Sequence, residues 1–555
     1  MTTAPGNPTD PTAPAPSGGG TFYVTTPIYY VNDKPHLGHV YTTMVADVVA
    51  RYHRLRGDDT FFLTGVDEHA AKVSDKAAEH GKTPQEWADL NAEQFRATFE
   101  KLEMTNDDFV RTSSDHHKAK VTEYVKALID SDDIYEGEYV GWYDAGQEEY
   151  VPENKAKDND YKSEVNGKPL VKKSEKNYFF RLSKYVPALL EHFEANPEFV
   201  QPTARKNEIV NRIKEAKDVP ISRTGSGGWG IPVPDDEEQT IYVWIDALFN
   251  YLTYVDTPDR RHYWQSGATH FIAKDILWFH ASIWPALLMA LQKCDGYDWV
   301  NLPKQVYSHS YWVSKAKLDT GEEAVMKMGK STGNFLDPET LNALVETFGL
   351  DALRYFLSTQ GPLGTTDSEF SEDKYIEVYN SDLANTFGNS ASRVSNMIGK
   401  YFDAKTPSRQ DAKKTSELSQ TVSLFSLEGF DVYFSVIDLA DAAAKGLWVI
   451  GQVDGYIEAK RPFTLAKDPE KLPEVGTILY NCAEALRISS VLLWPFIPDK
   501  CETFWSRIGC DYAEQMKANG GKGKIDEWVQ WGQLQPGTPI EKGDALFPRY
   551  QPPKK

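Results

Sequence analysis

The strand, helix and second strand that follow one another between Phe22 and Leu63 constrain this chain most. Phe22-Tyr23-Val24-Thr25 is a short β-prone run, and Thr60-Phe61-Phe62-Leu63 is another. Between them Tyr41, Val45, Val48, Tyr52 and Leu55 fall on one helical face. Arg51, Arg54 and Arg56 crowd the last turn before Gly57, a stop signal that suits the negative end of a helix dipole. A strand–helix–strand unit of this size is a crossover that returns the second strand parallel to the first, so a parallel α/β sheet is predicted. Before it, residues 1–20 are Pro, Thr, Ala, Gly and Ser without hydrophobic period and read as a disordered tail.

At 555 residues the chain exceeds one hydrophobic core. Residues from about 115 to 240 mix helices, short aromatic strands and a polar stretch from Glu153 to Lys168, the pattern of an insertion. Strand and helix patterns resume at 240–252 and 270–291, and a mainly helical pattern from about Glu372 to Arg507 suggests a bundle. No apolar run is long enough to span a bilayer, and no basic stretch followed by an apolar core marks a secretory signal. The cysteines, at 294, 482, 501 and 510, are too scattered for a disulfide framework, so a reducing cytoplasm is expected. The net charge of −21 argues mildly against a nucleic-acid partner, but phosphates respond to local patches such as Arg205, Lys206, Arg212, Lys214 and Lys217.

Two motifs carry chemistry. His36-Leu37-Gly38-His39 sits between the first strand and the first helix. Free backbone N–H groups and the helix dipole favour polyphosphate there, and two imidazoles add donors. Taken alone, the pair also fits metal ligation or two ordinary histidines. Lys327-Met328-Gly329-Lys330-Ser331-Thr332-Gly333-Asn334 holds two lysines three apart beside glycine, which suits a loop closing on a pyrophosphate leaving group or a plain solvated loop. GSGGWG, which follows Arg223, lacks the strand before it that a dinucleotide site needs.

HLGH and KMGKS, in this order and flanking an α/β region, resemble the HIGH and KMSKS signatures of class I aminoacyl-tRNA synthetases. The detail is similar to the methionyl family. TTPIYYVNDKPHLGHVYTTMVADVVARYHRLRG, FFLTGVDEH, YVWIDALFNYL, HFIAKDILWFHASIWPA, GLDALRYFL and YNSDLANTFGNSASR look like its segments in sequence order. The resemblance implies a Rossmann-type catalytic domain in halves 21–114 and 241–325, split by an acceptor-end insertion at 115–240. It further implies a KMGKS and stem-contact region at 326–371, an anticodon-binding bundle at 372–510 and a C-terminal tail at 511–555.

The same resemblance implies residue roles. Ile28, Tyr30, Asp67, Trp244, Ala247, Leu248, Tyr251, Ile276, His280 and Trp284 surround the amino acid. Asp67 is expected to hold its ammonium and the aromatics to wrap its thioether. His36, Gly38, His39, Lys274, Asp275, Lys327 and Lys330 bind ATP, with Lys274 assigned to the nucleotide or to a neighbouring carboxylate. Arg223 resembles a family arginine near the active site, and Asn385, Asn389, Arg393, Pro462 and Phe463 fall where the family reads the anticodon. The implied partners are methionine, ATP with Mg²⁺, and tRNA(Met).

Three positions depart from the family pattern. Gly329 stands for the KMSKS serine, Ala273 for a glycine, and Phe463 for a tryptophan. Residues 115–240 hold no cysteine, so no thiolate zinc site is expected there. No added tRNA-binding or dimerisation module follows the bundle, so a monomer is expected. Alternatives are another class I synthetase or a catalytically impaired paralogue.

Overall fold

The computed structural model describes residues 19–144, 149–151, 153–163, 167–224, 228–317, 323–328, 338–409, 416–423 and 427–551. Among them, the main sheet has six strands: β1 (Thr21–Tyr30), β2 (Asp59–Asp67), β3 (Asp108–Arg111), β4 (Val200–Gln201), β5 (Ala268–Ala273) and β6 (Gln305–His309). Every pairing in it is parallel, and the order is β3-β2-β1-β5-β6-β4. The order reverses between β1 and β5. Loops leaving the carboxyl ends of those two strands part in opposite directions, which opens a crevice.

Helix α1 (Leu37–Arg56) makes the crossover from β1 to β2. Tyr41, Val45, Val48, Tyr52 and Leu55 are all buried, but so are Met44, Ala46, Val49 and Ala50, because α1 is covered on more than one side. Its last-turn arginines are bound and not solvated. Arg51 pairs with Asp47 at 2.7 Å, Arg54 with Asp107 at 2.8 Å, and Arg56 with Asp431 of the helical region. Gly57 ends the helix with φ of 90°, the left-handed conformation glycine adopts without strain.

The segment 115–240 divides in two. Helix α2 (Asp115–Asp130) packs Val121, Tyr124, Val125 and Leu128 into the sheet core, and β4 pairs with β6 at the sheet edge. The rest builds an antiparallel four-stranded sheet around the long pair Ile134–Asp144 and Val171–Phe180. At its tip Trp142 lies 4.5 Å from Tyr161, and both donate to Glu153, at 2.8 and 3.2 Å.

Beyond α3 (Val243–Thr253) and α4 (Trp284–Leu291), the chain becomes helical in α5 (Asn389–Tyr401), α6 (Leu439–Lys460), α7 (Leu472–Leu493) and α8 (Pro498–Arg507). The segment after 510, read from sequence as a tail, is corrected by the structure. It holds helices Tyr512–Ala518 and Ile525–Trp528, and it buries Ile525, Trp528, Leu534, Ile540, Leu546 and Phe547. The buried Glu484 of α7 accepts N–H groups of Gly532, Gln533 and Leu534 at 2.7, 2.9 and 3.1 Å while pairing with Arg487. These apolar residues are spaced too unevenly to show a period; Glu484 caps the backbone at 532–534, while Ile540 donates its N–H to the Ala404 carbonyl at 2.7 Å. The N–H of Gly523 donates to the carbonyl of Arg54 at 2.7 Å, fastening this segment to the end of α1. Among the described residues, no helix is long and apolar enough to cross a membrane.

Candidate active site

The crevice at the β1–β5 reversal is a cleft of about 1030 Å³. It is lined by Ile28, Tyr30, His36, Gly38, His39, Asp67, Trp244, Ala247, Leu248, Tyr251, Asp275, Ile276 and His280, and also by Tyr41, Thr42, Lys72, Ala273, His309, Trp312 and Met328. Residues spread over some three hundred positions of sequence therefore share one volume.

His36 is the N-cap of α1. Its Nδ1 accepts the N–H of Gly38 at 3.0 Å, and Nδ1 of His39 accepts the N–H of His36 at 3.3 Å, so the two imidazoles form a capping box. A ring nitrogen that accepts carries no proton, so in the neutral rings the proton sits on Nε2, a donor on the far side of each ring. The rings stack 3.8 Å apart. A Cβ at position 38 would come within 2.9 Å of the His36 ring, which explains the glycine. Ala273, with φ of −81° and ψ of 155°, occupies ordinary extended backbone and accepts its side chain without strain.

At the other end lies Asp67, 2% exposed. Burial pushes its carboxyl well above the usual range, and the charges of Asp246 and Glu68 push the same way against one backbone bond from His69. Such a group gains most from an arriving cation. Tyr30 beside it is also raised, by burial and by the charge of Asp67.

The wall between these ends is aromatic and held by directed bonds. Trp244 stacks on Phe279 at 3.9 Å. A π-helical turn, Phe279–Ile283, sets the direction of His280. His280 donates from Nδ1 to the Ile276 carbonyl at 3.0 Å, so its Nε2 accepts the hydroxyl proton of Tyr251 at 2.7 Å. Burial holds His280 at about 4, outweighing the Ile276 bond, so it is neutral. Trp284 is fully buried and lies behind this wall, 5.9 Å from Tyr251, instead of lining the cleft. Its indole N–H donates to Nε2 of His270 at 3.2 Å, and His270 in turn donates to Thr25 at 2.7 Å.

His270 and His309 escaped the sequence reading. Burial, then His280, lowers His270 well below its ordinary value, and burial holds His309 at about 4. His309 accepts from Thr42 at 2.8 Å and braces the first turns of α1. Their one sequence signal is a histidine within a short β-prone run, ATHFIA or QVYSH.

Lys274 is placed on a carboxylate. It pairs with Asp367 at 2.7 Å and lies over the ring of Tyr311, a lining residue, at 4.5 Å, without lining the cleft itself. Arg223 is exposed, stacks over Tyr242 at 4.6 Å and shares a small adjoining pocket with Trp244 of the cleft wall. The backbone of Lys327 ends the strand Glu323–Lys327, while Gly329 and Lys330 lie outside the described residues. Far from the cleft lining, Asn385 and Asn389 are exposed, and Arg393 reaches Glu458 at 3.4 Å and Asp454 at 3.9 Å. Pro462 is buried and Phe463 is 40% exposed.

The six-stranded parallel sheet with a crevice at its reversal and a helical region after it is the fold of class I tRNA synthetases. Residues 22–159 and 157–395 match the family model described as tRNA synthetases class I (M), and the chain belongs to that family. The methionine--tRNA ligase of Bacillus subtilis (strain 168) is 39% identical over 559 residues, covering 97% of this chain and 79% of the relative. That of Streptomyces coelicolor is 38% identical over 548 residues, covering 96% of this chain and 97% of the relative. The solved structure of Mycobacterium tuberculosis methionyl-tRNA synthetase in complex with methionyl-adenylate superposes with a TM-score of 0.81 at 32% identity, over 96% of this chain and 100% of that one.

Proposed function

We propose that the protein attaches methionine to its tRNA. Methionine and ATP give methionyl-adenylate, and the methionyl group then passes to the tRNA 3′ adenosine. The observation that carries this reading is one continuous cleft with a buried carboxyl at one end, a histidine-capped helix at the other and an aromatic wall between.

Asp67 holds the ammonium by a charge-assisted bond. Ile28, Tyr30, Trp244, Ala247, Leu248, Tyr251, Ile276 and His280 enclose the thioether, with Trp284 supporting them from behind. The carboxylate oxygen attacks the α-phosphorus, and the bond from that phosphorus to the oxygen bridging to the β-phosphate breaks, releasing pyrophosphate. His36, Gly38 and His39 bind the phosphates at the helix N-terminus, and Asp275 accepts from the ribose. Lys274 contributes once it leaves Asp367, and Lys327 and Lys330 neutralise the departing pyrophosphate. Mg²⁺ would accompany ATP and would supply positive charge to its phosphates. In the second step the adenosine hydroxyl oxygen attacks the methionyl carbonyl carbon, and AMP leaves with the electrons of the broken C–O bond. The chain's part in both steps is position and electrostatics.

The reading extends to tRNA(Met), to a monomer and to the cytoplasm, and zinc has no part in it. Asn385, Asn389 and Arg393 supply edge hydrogen bonds to unstacked anticodon bases, Pro462 anchors the turn, and Phe463 offers a stacking plane. The exposure of Phe463 supports this role over one in the bundle core. Exchange of pyrophosphate into ATP, tried with each amino acid, is expected to respond to methionine; exchange with another amino acid and not methionine would overturn the reading. Phe463→Ala is expected to lower charging about 5- to 150-fold, the scale of one lost stacking contact, while exchange stays unchanged. Equal losses in both assays would remove Phe463 from the anticodon site.

A further inference from the structure

Beneath Asp67 lies a second carboxylate that the reaction above leaves without a role. Asp246, in the first turn of α3, is 1% exposed. Both its oxygens are taken by histidines: Oδ2 lies 2.6 Å from Nδ1 of His69, and Oδ1 lies 2.7 Å from Nε2 of His117. An ionised carboxylate only accepts, so both nitrogens donate. The other nitrogen of His117 meets Thr253 Oγ1 at 2.9 Å, closing the chain of bonds back onto α3. From the opposite side, the backbone N–H of His69 donates to Asp67 Oδ1 at 3.3 Å.

This arrangement is more than packing requires. A buried, fully bonded charge stabilises a fold poorly compared with apolar residues of the same volume, so its presence calls for another reason. Its charge still reaches Asp67, whose carboxyl it pushes upward after burial does so. Glu68, the other carboxylate of the group, is neutralised by Arg111 at 2.7 Å. Asp246 remains ionised, because His69 and His117 outweigh its burial. Two carboxylates therefore face the same end of the cleft, one in contact with the ligand space and one behind it.

We propose that Asp246 is a positioning residue for the amino-acid ammonium: through His69 it orients Asp67, and its negative charge strengthens the pull of that end of the cleft on a primary amine. The inference rests on the reading that Asp67 receives the ammonium of methionine. Because His117 belongs to α2, the same bonds tie the amine anchor to the helix that leads into the inserted sheet.

The test measures dissociation constants of three ligands on the full-length protein: L-methionine, L-methioninol, which keeps the amine and lacks the carboxylate, and 4-(methylthio)butan-1-ol, which lacks the amine. Asp246→Asn is expected to weaken methionine and methioninol at least about tenfold, the scale of one charge-assisted contact, and to leave the amine-free ligand and the KM for ATP unchanged. His117→Gln, which still donates to Oδ1, stays near the parent; His117→Ala shows a smaller loss, again selective for amines. Thermal melts accompany each variant, and if Asp246→Asn does not fold, the His117 pair decides on the same ligands. Asp67→Asn separates the two readings. No amine-selective loss there overturns the assignment of Asp67 itself. Amine-selective loss there, with equal or no loss across the three ligands in Asp246→Asn, overturns the role of Asp246 alone.

Discussion

The two ends of the cleft are held in different ways. At the Asp67 end, side chains bond to one another in buried chains: Trp284 to His270 to Thr25, and Tyr251 to His280 to Ile276. Each link fixes the tautomer and direction of the next, so the wall is set before any ligand arrives. At the His36 end, proposed for the nucleotide, His36 and His39 depend on backbone N–H groups of a single helix turn, and Lys274 is committed to an ion pair with Asp367. Selecting an amino acid rewards a rigid enclosure, because a buried polar group left unpaired by the wrong ligand is costly. Phosphate transfer needs cations that move in, act and move out.

Four measurements sharpen or break that contrast. The largest effect belongs to the His36 end: Lys330→Ala is expected to slow methionine-dependent exchange about 10²-fold or more while methionine binding hardly changes. A normal exchange rate would break the contrast at once. Next, Tyr251→Phe removes the donor to a buried His280 nitrogen and the hydroxyl of the wall. The unpaired group costs about 1–3 kcal/mol, so the KM for methionine rises about 5- to 150-fold with the KM for ATP unaffected. A rise in both constants would mean the wall does not serve the amino acid alone.

Third, acid should loosen both ends. His280 and His309 are each held at about 4 against an ordinary value of 6.5. Between those values the unfolded chain binds protons that the folded chain refuses. Their contribution to stability is therefore complete above pH 6.5 and is lost as pH falls toward 4. Melting temperature followed over that range should decline, and His280→Asn and His309→Asn should each flatten the decline. Unchanged slopes would show these rings titrating normally. The smallest effect is Gly329→Ser, expected to leave exchange equal or slightly faster, since serine has less backbone freedom to lose than glycine, a fraction of a kcal/mol. A large loss would show that the loop needs a backbone angle only glycine reaches.

The sequence exposed what is local. The helix that begins at Leu37 and stops at Gly57 was legible from its face, its arginines and its glycine, and with it the place of His36 and His39. The contents of the cleft were legible through family likeness, which reports neighbourhood better than depth. Trp284 belongs to that neighbourhood, yet it stands behind the wall. Lys274 was left between two partners, and only the fold brings Asp367 within reach. The bonds joining His69, His117 and Asp246 were invisible, because three elements distant in sequence must first pack before any spacing relates them. The segment after 510 hid for a related reason: its buried residues follow the contours of α7 and α1 and not a period of their own.

The bond from Gly523 to Arg54 has a consequence for how the molecule is made. A ribosome extrudes α1 early, when neither Gly523 nor the Asp431 that binds Arg56 exists. The far end of the helix whose first turn presents His36 and His39 is held early through Arg54 and Asp107, but lacks these later contacts until residue 523 has left the exit tunnel. Nascent chains stalled short of this segment carry every residue of the cleft and lack its last fastening, so a partly synthesised copy is an incomplete competitor for methionine and ATP. The site is fully braced only once residue 523 has been made.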